Sequence, residues 1–213
     1  MSSINRNFTF HYEQPEEYRF CHDSVFLARR IFDILPQNKK VRKALDLCSG
    51  VGIIGLDFLF HQREAQRVLP EKFDFLEVQS IYKKFFDMNV EKLGEMSAEL
   101  NFLNLNYKGL LVEEYKEEYD LILCNPPYFR LGQGLLSPSE FKNRCRFFID
   151  SDFKTLLEAI HFSLRPEGVA YMLLRDLKEN GVDTLKEAEK ILEGKRNIKK
   201  IEEIRGTPLV SIQ

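Results

Sequence analysis

The chain has 213 residues, 44% hydrophobic and 30% charged, the make-up of an ordinary soluble globular protein with room for one sizeable α/β domain. A formal net charge of −2 and a pI near 6.2 argue against a globally basic nucleic-acid binder, so any such role must rest on local clusters of charge. No apolar run approaches membrane-spanning length and no basic-then-apolar leader opens the chain, so a cytoplasmic protein with no membrane partner is expected.

Residues 1 to 22 are polar and aromatic without clear periodicity. Asp23 then stands as an N-cap before apolar positions at helical spacing in "DSVFLARRIFDIL", a helix that Pro36 must end. A strand is expected at 43 to 47, followed by a glycine-bearing turn and an apolar helix from 51 to 63. Further strands are predicted at 73–77, 100–104, 119–124 and 167–175, with helices at 79–93, 152–164 and 183–193. Two last strands, 197–204 and 208–212, are close enough to pair as a hairpin. Strand and helix alternate at the spacing that builds a doubly wound, mostly parallel sheet covered on both faces.

Cys21, Cys48, Cys124 and Cys145 form no C-x-x-C pair, and the four histidines are scattered. Reduced thiols and no metal site are therefore expected.

Two stretches carry chemistry. In "LDLCSGVGIIGL", Gly50, Gly52 and Gly55 spell a G-x-G-x-x-G, which alone fits a dinucleotide dehydrogenase. Asp46, at the end of the preceding strand, would repel a pyrophosphate and attract a cationic ligand. Glu77, ending the next strand, is placed to accept hydrogen bonds from both hydroxyls of a ribose. S-adenosyl-L-methionine, with its adenosine, positive sulfonium and amino group, satisfies both acids. The second stretch is "DLILCNPPYF", where an apolar strand stops in Asn125, Pro126, Pro127, Tyr128 and Phe129. Neither proline can donate to a sheet ladder, so the polar amide and the rings are presented at a strand end, where open α/β sheets bind ligands.

Asp46-x-x-x-Gly50-x-Gly52, Glu77 and Asn125-Pro126-Pro127-Tyr128 resemble three motifs of the class I S-adenosylmethionine-dependent methyltransferases, over a match from about Tyr18 to Arg175. The resemblance implies a Rossmann-like α/β fold with a seven-stranded sheet and a C-terminal antiparallel hairpin. It divides the chain into an extension with a cofactor-covering helix, 1–40, and a methyltransferase domain, 41–213. Asp23, Asp46, Ser49, Gly50, Gly52, Glu77, Asn106 and Asn125 become cofactor-binding candidates. The sequence departs from the family at Cys48, where a glycine is usual. It departs again at Asn106, or less directly Asn104, where an aspartate usually holds the adenine amino group, so somewhat weaker cofactor affinity is expected.

The NPPY form belongs to enzymes that methylate amide-like or aniline-like nitrogens. Such a nitrogen is a poor nucleophile because its lone pair is delocalised. Two acceptors, the Asn125 side-chain oxygen and the Pro126 carbonyl, would draw its N–H bonds aside and localise that lone pair. Tyr128, extended by Phe129, would stack the base. "EQPEEYRFCHDSVFLAR", "LEVQ" and "NPPYFRLGQG" are similar to the small bacterial tRNA1(Val) adenine-N6 methyltransferases, which implies tRNA as the partner, with Arg130, Lys142, Arg144 and Arg146 on its phosphates. In that family the segment ending in Asp23 and Ser24 closes over the methionine end of the cofactor. Two other readings stay open: a protein glutamine-N5 methyltransferase acting on release factors, and a methyltransferase-like domain that binds without catalysis.

Overall fold

The computed structural model describes residues 9, 11–17, 19, 22–37, 39–178 and 181–213. Five strands, β1 (Lys43–Leu47), β2 (Lys72–Leu76), β3 (Glu99–Leu103), β4 (Tyr119–Cys124) and β5 (Leu164–Leu173), run parallel. A hairpin of β6 (Ile198–Ile204) and β7 (Thr207–Ile212) completes the sheet in the order β3-β2-β1-β4-β5-β7-β6, with β7 antiparallel to both β5 and β6. The order reverses between β1 and β4, which opens a crevice beyond the C-terminal ends of those two strands.

Helices α1 (His22–Ile34), α2 (Ile53–Glu64) and α3 (Lys83–Leu93) cover one face; α5 (Phe153–Ser163) and α6 (Thr184–Leu192) cover the other. Strand residues alternate between the two cores. Ala44, Phe73, Phe75, Leu121 and Leu123 pack toward α1–α3, while Leu45, Leu47, Leu76, Ile122 and Cys124 pack toward α5 and α6. Glycine makes the closest approach possible: a Cβ on Gly55 would lie 2.5 Å from the Phe75 ring, so α2 rests directly on the aromatic floor of β2.

Several expectations shift at their edges. Asp23 lies in the first turn of α1, which begins at His22, rather than capping it. The helix expected at 79–93 opens with a 3₁₀ turn, Ser80–Tyr82, before α3. A short helix, α4 (Glu140–Arg146), was not expected; Ser139 caps it by accepting from the Lys142 amide. Asp152 and Asp183 cap α5 and α6 in the same way. Cys48, Cys124 and Cys145 are free thiols, and Cys21 lies outside the described residues. Among the described residues no helix is long and apolar enough to cross a membrane.

Candidate active site

A cavity of about 330 Å³ fills the crevice, within the range of roughly 300–1,000 Å³ usual for small-molecule sites. Each parallel strand feeds it from its C-terminal end: Ser49 and Gly50 after β1, Glu77 after β2, Asn106 after β3, Asn125 to Phe129 after β4, and Arg175 after β5.

Glu77 organises the middle of the cavity. Its Oε2 accepts the Gly50 amide at 3.0 Å and its Oε1 accepts the Gln79 amide at 2.9 Å. Burial pushes its pKa up to about 7, against the pull of those two amides. Asn104 donates to the carbonyls of Glu77 and Val78, at 2.8 and 3.1 Å, and so fixes the loop that carries the acid.

Asp46 does not face the cavity. It is fully buried beneath the glycine turn, where Oδ2 accepts the Gly55 amide at 2.9 Å at the start of α2. Its Oδ1 has no hydrogen-bond partner among the described residues. Burial raises its pKa to about 8, with the nearby Glu77 charge adding to the effect. Gly52 is also absent from the wall. It enters α2 in the left-handed conformation, φ 83°, packed so that a Cβ would meet Phe86 at 2.8 Å. Cys48 adopts φ 63° at the first turn position, so the side chain is accommodated, at the cost of a conformation that favours glycine.

The strand-end segment is held on both sides. Asn125 Nδ2 donates to Ser24 Oγ of α1 at 2.9 Å, and its Oδ1 accepts the Tyr128 hydroxyl at 2.6 Å. The amides of Tyr128 and Phe129 both donate to the Arg146 carbonyl, at 3.1 and 3.0 Å, and the Phe148 amide donates back to Phe129 at 2.8 Å. The rings are thus fixed against the segment that follows α4.

The four basic residues expected on phosphates separate. Arg130 is ion-paired with Glu187 of α6 and, like Lys142, is not on the cavity wall. Arg144 lines the cavity but is clasped by Asp150, with Nη2 2.6 Å from Oδ1. Asn106 reaches the same loop: Nδ2 donates to the Asp150 carbonyl at 2.9 Å, while Oδ1 accepts the Lys108 amide at 3.0 Å. Only Arg146 of the four lines the cavity without an ion pair among the described residues. Asp23 sits on the wall with Arg205 Nε 3.5 Å away.

Sequence reasoning missed Gln14, Gln79, Cys145, Asp150 and Arg175, all of which line the cavity. Arg175 carried a readable signal, since it ends an apolar strand of a parallel sheet. Asp150 carried none, because its partner stands six residues away with no helical register between them.

No protein-family model matches the chain. Among curated proteins, a tRNA1(Val) (adenine(37)-N6)-methyltransferase of Flavobacterium psychrophilum is 30% identical over 81% of this chain and 68% of its own length. The chain belongs to the methyltransferase family that contains this protein. A Shewanella baltica protein of the same name is 41% identical over 62% of the chain, which spans about half (52%) of that relative's length. A ribosomal protein uL3 glutamine methyltransferase of Neisseria meningitidis is 31% identical over 63% of the chain and 43% of its own length. The fold recurs in a precorrin-6y C5,15-methyltransferase of Geobacter metallireducens, with a TM-score of 0.57 at 10% identity, covering 95% of this chain and 93% of that one.

Proposed function

We propose that the chain transfers a methyl group from S-adenosylmethionine to the exocyclic N6 of an adenine in structured RNA, a tRNA anticodon loop. The observation that carries this reading is the Asn125 amide, whose Nδ2 is tied to Ser24 while its Oδ1 and the Tyr128 ring stand at the cavity wall. The tRNA methyltransferases among its relatives support the choice of acceptor.

The residues present fit the cofactor. Ser49 Oγ is buried at the wall with no partner among the described residues, and Glu77 retains lone pairs for ribose hydroxyls beside a turn that approaches without a side chain at Gly50. Glu77 would hold the ribose, Ser49 and Gly50 would follow the chain toward methionine, and Asp23 and Ser24 would close that end. Asp46 acts beneath the turn, shaping it through the Gly55 amide. When bound, the cofactor supplies an electrophilic methyl group on a positive sulfur.

Asn125 Oδ1 and the Pro126 carbonyl would accept the two N–H bonds of the adenine amine and turn its lone pair toward that methyl group. Tyr128 would stack the base, and its hydroxyl must leave Asn125 Oδ1 for the amine to enter. No base is needed to start the reaction, because the methylated nitrogen is acidic enough to release one proton to water. The rate gain is then one of position and fixed dipoles.

Nucleoside mass spectrometry on unmodified bacterial tRNA incubated with enzyme and cofactor is the direct test. New N6-methyladenosine is the expected result. A methyl group on glutamine of a release factor or of uL3, with none on tRNA, would make the protein-substrate reading correct.

A further inference from the structure

We infer that Arg146 and Arg175 form a two-guanidinium subsite that holds the RNA phosphates flanking the target base. This deepens the RNA reading and rests on it.

The two residues reach the same ring from different elements. Arg146 closes α4, and its guanidinium carbon lies 5.7 Å from the Phe129 ring centre and 5.6 Å from that of Phe147. Arg175 lies just beyond β5, 5.8 Å from the ring centres of both Tyr128 and Phe129. Both are exposed, both line the cavity, and neither has an ion pair or side-chain hydrogen bond among the described residues. Their neighbours Arg130 and Arg144 are each neutralised by a carboxylate. Two uncompensated positive groups therefore stand beside the acceptor wall of a chain whose net charge is negative.

Ring contact leaves a guanidinium's outward N–H donors available, and its planar fork matches phosphate oxygens. A base seated on Tyr128 must bring its own 5′ and 3′ phosphates past this wall. The backbone also preorganises the site: the Arg146 carbonyl is stapled to the amides of Tyr128 and Phe129, so the cation and the stacking ring keep a fixed spacing. A glutamine side chain entering the same cavity carries no charge that would use the pair.

The test is binding of fluorescent, unmodified bacterial tRNA at several potassium chloride concentrations, with S-adenosylhomocysteine affinity measured in parallel. For Arg146→Ala/Arg175→Ala, tRNA affinity should fall tenfold or more, and the slope of log affinity against log salt should flatten by about one to two units. The Arg146→Lys/Arg175→Lys variant should keep most of the slope. S-adenosylhomocysteine affinity should stay within about threefold in both. Wild-type salt dependence persisting in the double alanine variant would overturn the subsite alone. Wild-type enzyme that ignores tRNA and methylates glutamine would overturn the RNA reading and the subsite with it.

Discussion

Asn125 has its two side-chain ends fixed by different elements, Nδ2 by Ser24 of α1 and Oδ1 by the Tyr128 hydroxyl. On the proposed mechanism, replacing it with alanine would remove one placed dipole from the reacting centre while leaving the strand end and its prolines in position. By analogy with the loss of one oxyanion-hole donor, kcat should fall about a hundredfold or more. Cofactor affinity should stay within a few-fold by calorimetry; a variant with near-normal turnover would remove Asn125 from the chemistry. Asp46 shows where residue-level reading stops. Its type and its place before the glycines were legible, but its orientation was not, because residues 44–47 of β1 are all buried and no polar face marks which way a side chain points. It points to the α2 side, where its carboxylate accepts the Gly55 amide.

Strands β1, β2 and β4 were legible because each is a short apolar run closed by a polar, glycine or proline turn. Helices α1 and α5 were legible because their apolar positions recur at helical spacing, and α2 because it is apolar nearly all round. Helix α4 was not legible. Its sequence, EFKNRCR, has no apolar stripe and is held instead by single contacts: Cys145 Sγ lies 3.1 Å from the Tyr82 hydroxyl and 3.4 Å from Gln79 Nε2, and Arg144 grips Asp150. Through Arg144 that element also walls the cavity beside Glu77. Arg144→Ala should therefore weaken S-adenosylhomocysteine binding by about threefold to tenfold, as loss of a charge-assisted, partly exposed hydrogen-bonded pair implies. Isothermal titration would show it, and unchanged affinity would uncouple α4 from the cofactor. In the core between α2 and β2, Gly55→Ala forces a methyl group into the Phe73 and Phe75 rings. Overpacking of this kind costs about 1–3 kcal/mol, visible as a lower urea midpoint with unchanged m-value.

For the whole molecule, the two buried acids make stability depend on pH. Glu77 and Asp46 ionise at about 7 and about 8, above their ordinary values of 4.5 and 3.8. A raised carboxyl pKa contributes stability that is fully present below the ordinary value and is lost as pH climbs through the folded value. These two groups should therefore lower the unliganded protein's stability progressively between about pH 4 and pH 8. A ligand that favours ionised Glu77 must release a proton on binding near neutral pH. The rise in Tm produced by the cofactor should be larger at pH 8 than at pH 6, and calorimetry in buffers of different ionisation enthalpy should detect the released proton. An equal Tm gain at both pH values, with no proton released, would disconnect these carboxyls from binding.

The place of β7 bears on how the sheet is assembled. Because β7 lies between β5 and β6, β6 reaches the sheet only through it, and five parallel strands must wait for a strand that follows them in sequence. A nascent chain halted before Thr207 would carry Ala170–Leu173 of β5 with one row of amides and carbonyls open to any passing strand. A protease cut within β7 would recreate that sticky edge in the folded molecule, so damage confined to this strand is expected to lead to aggregation before it leads to loss of the pocket.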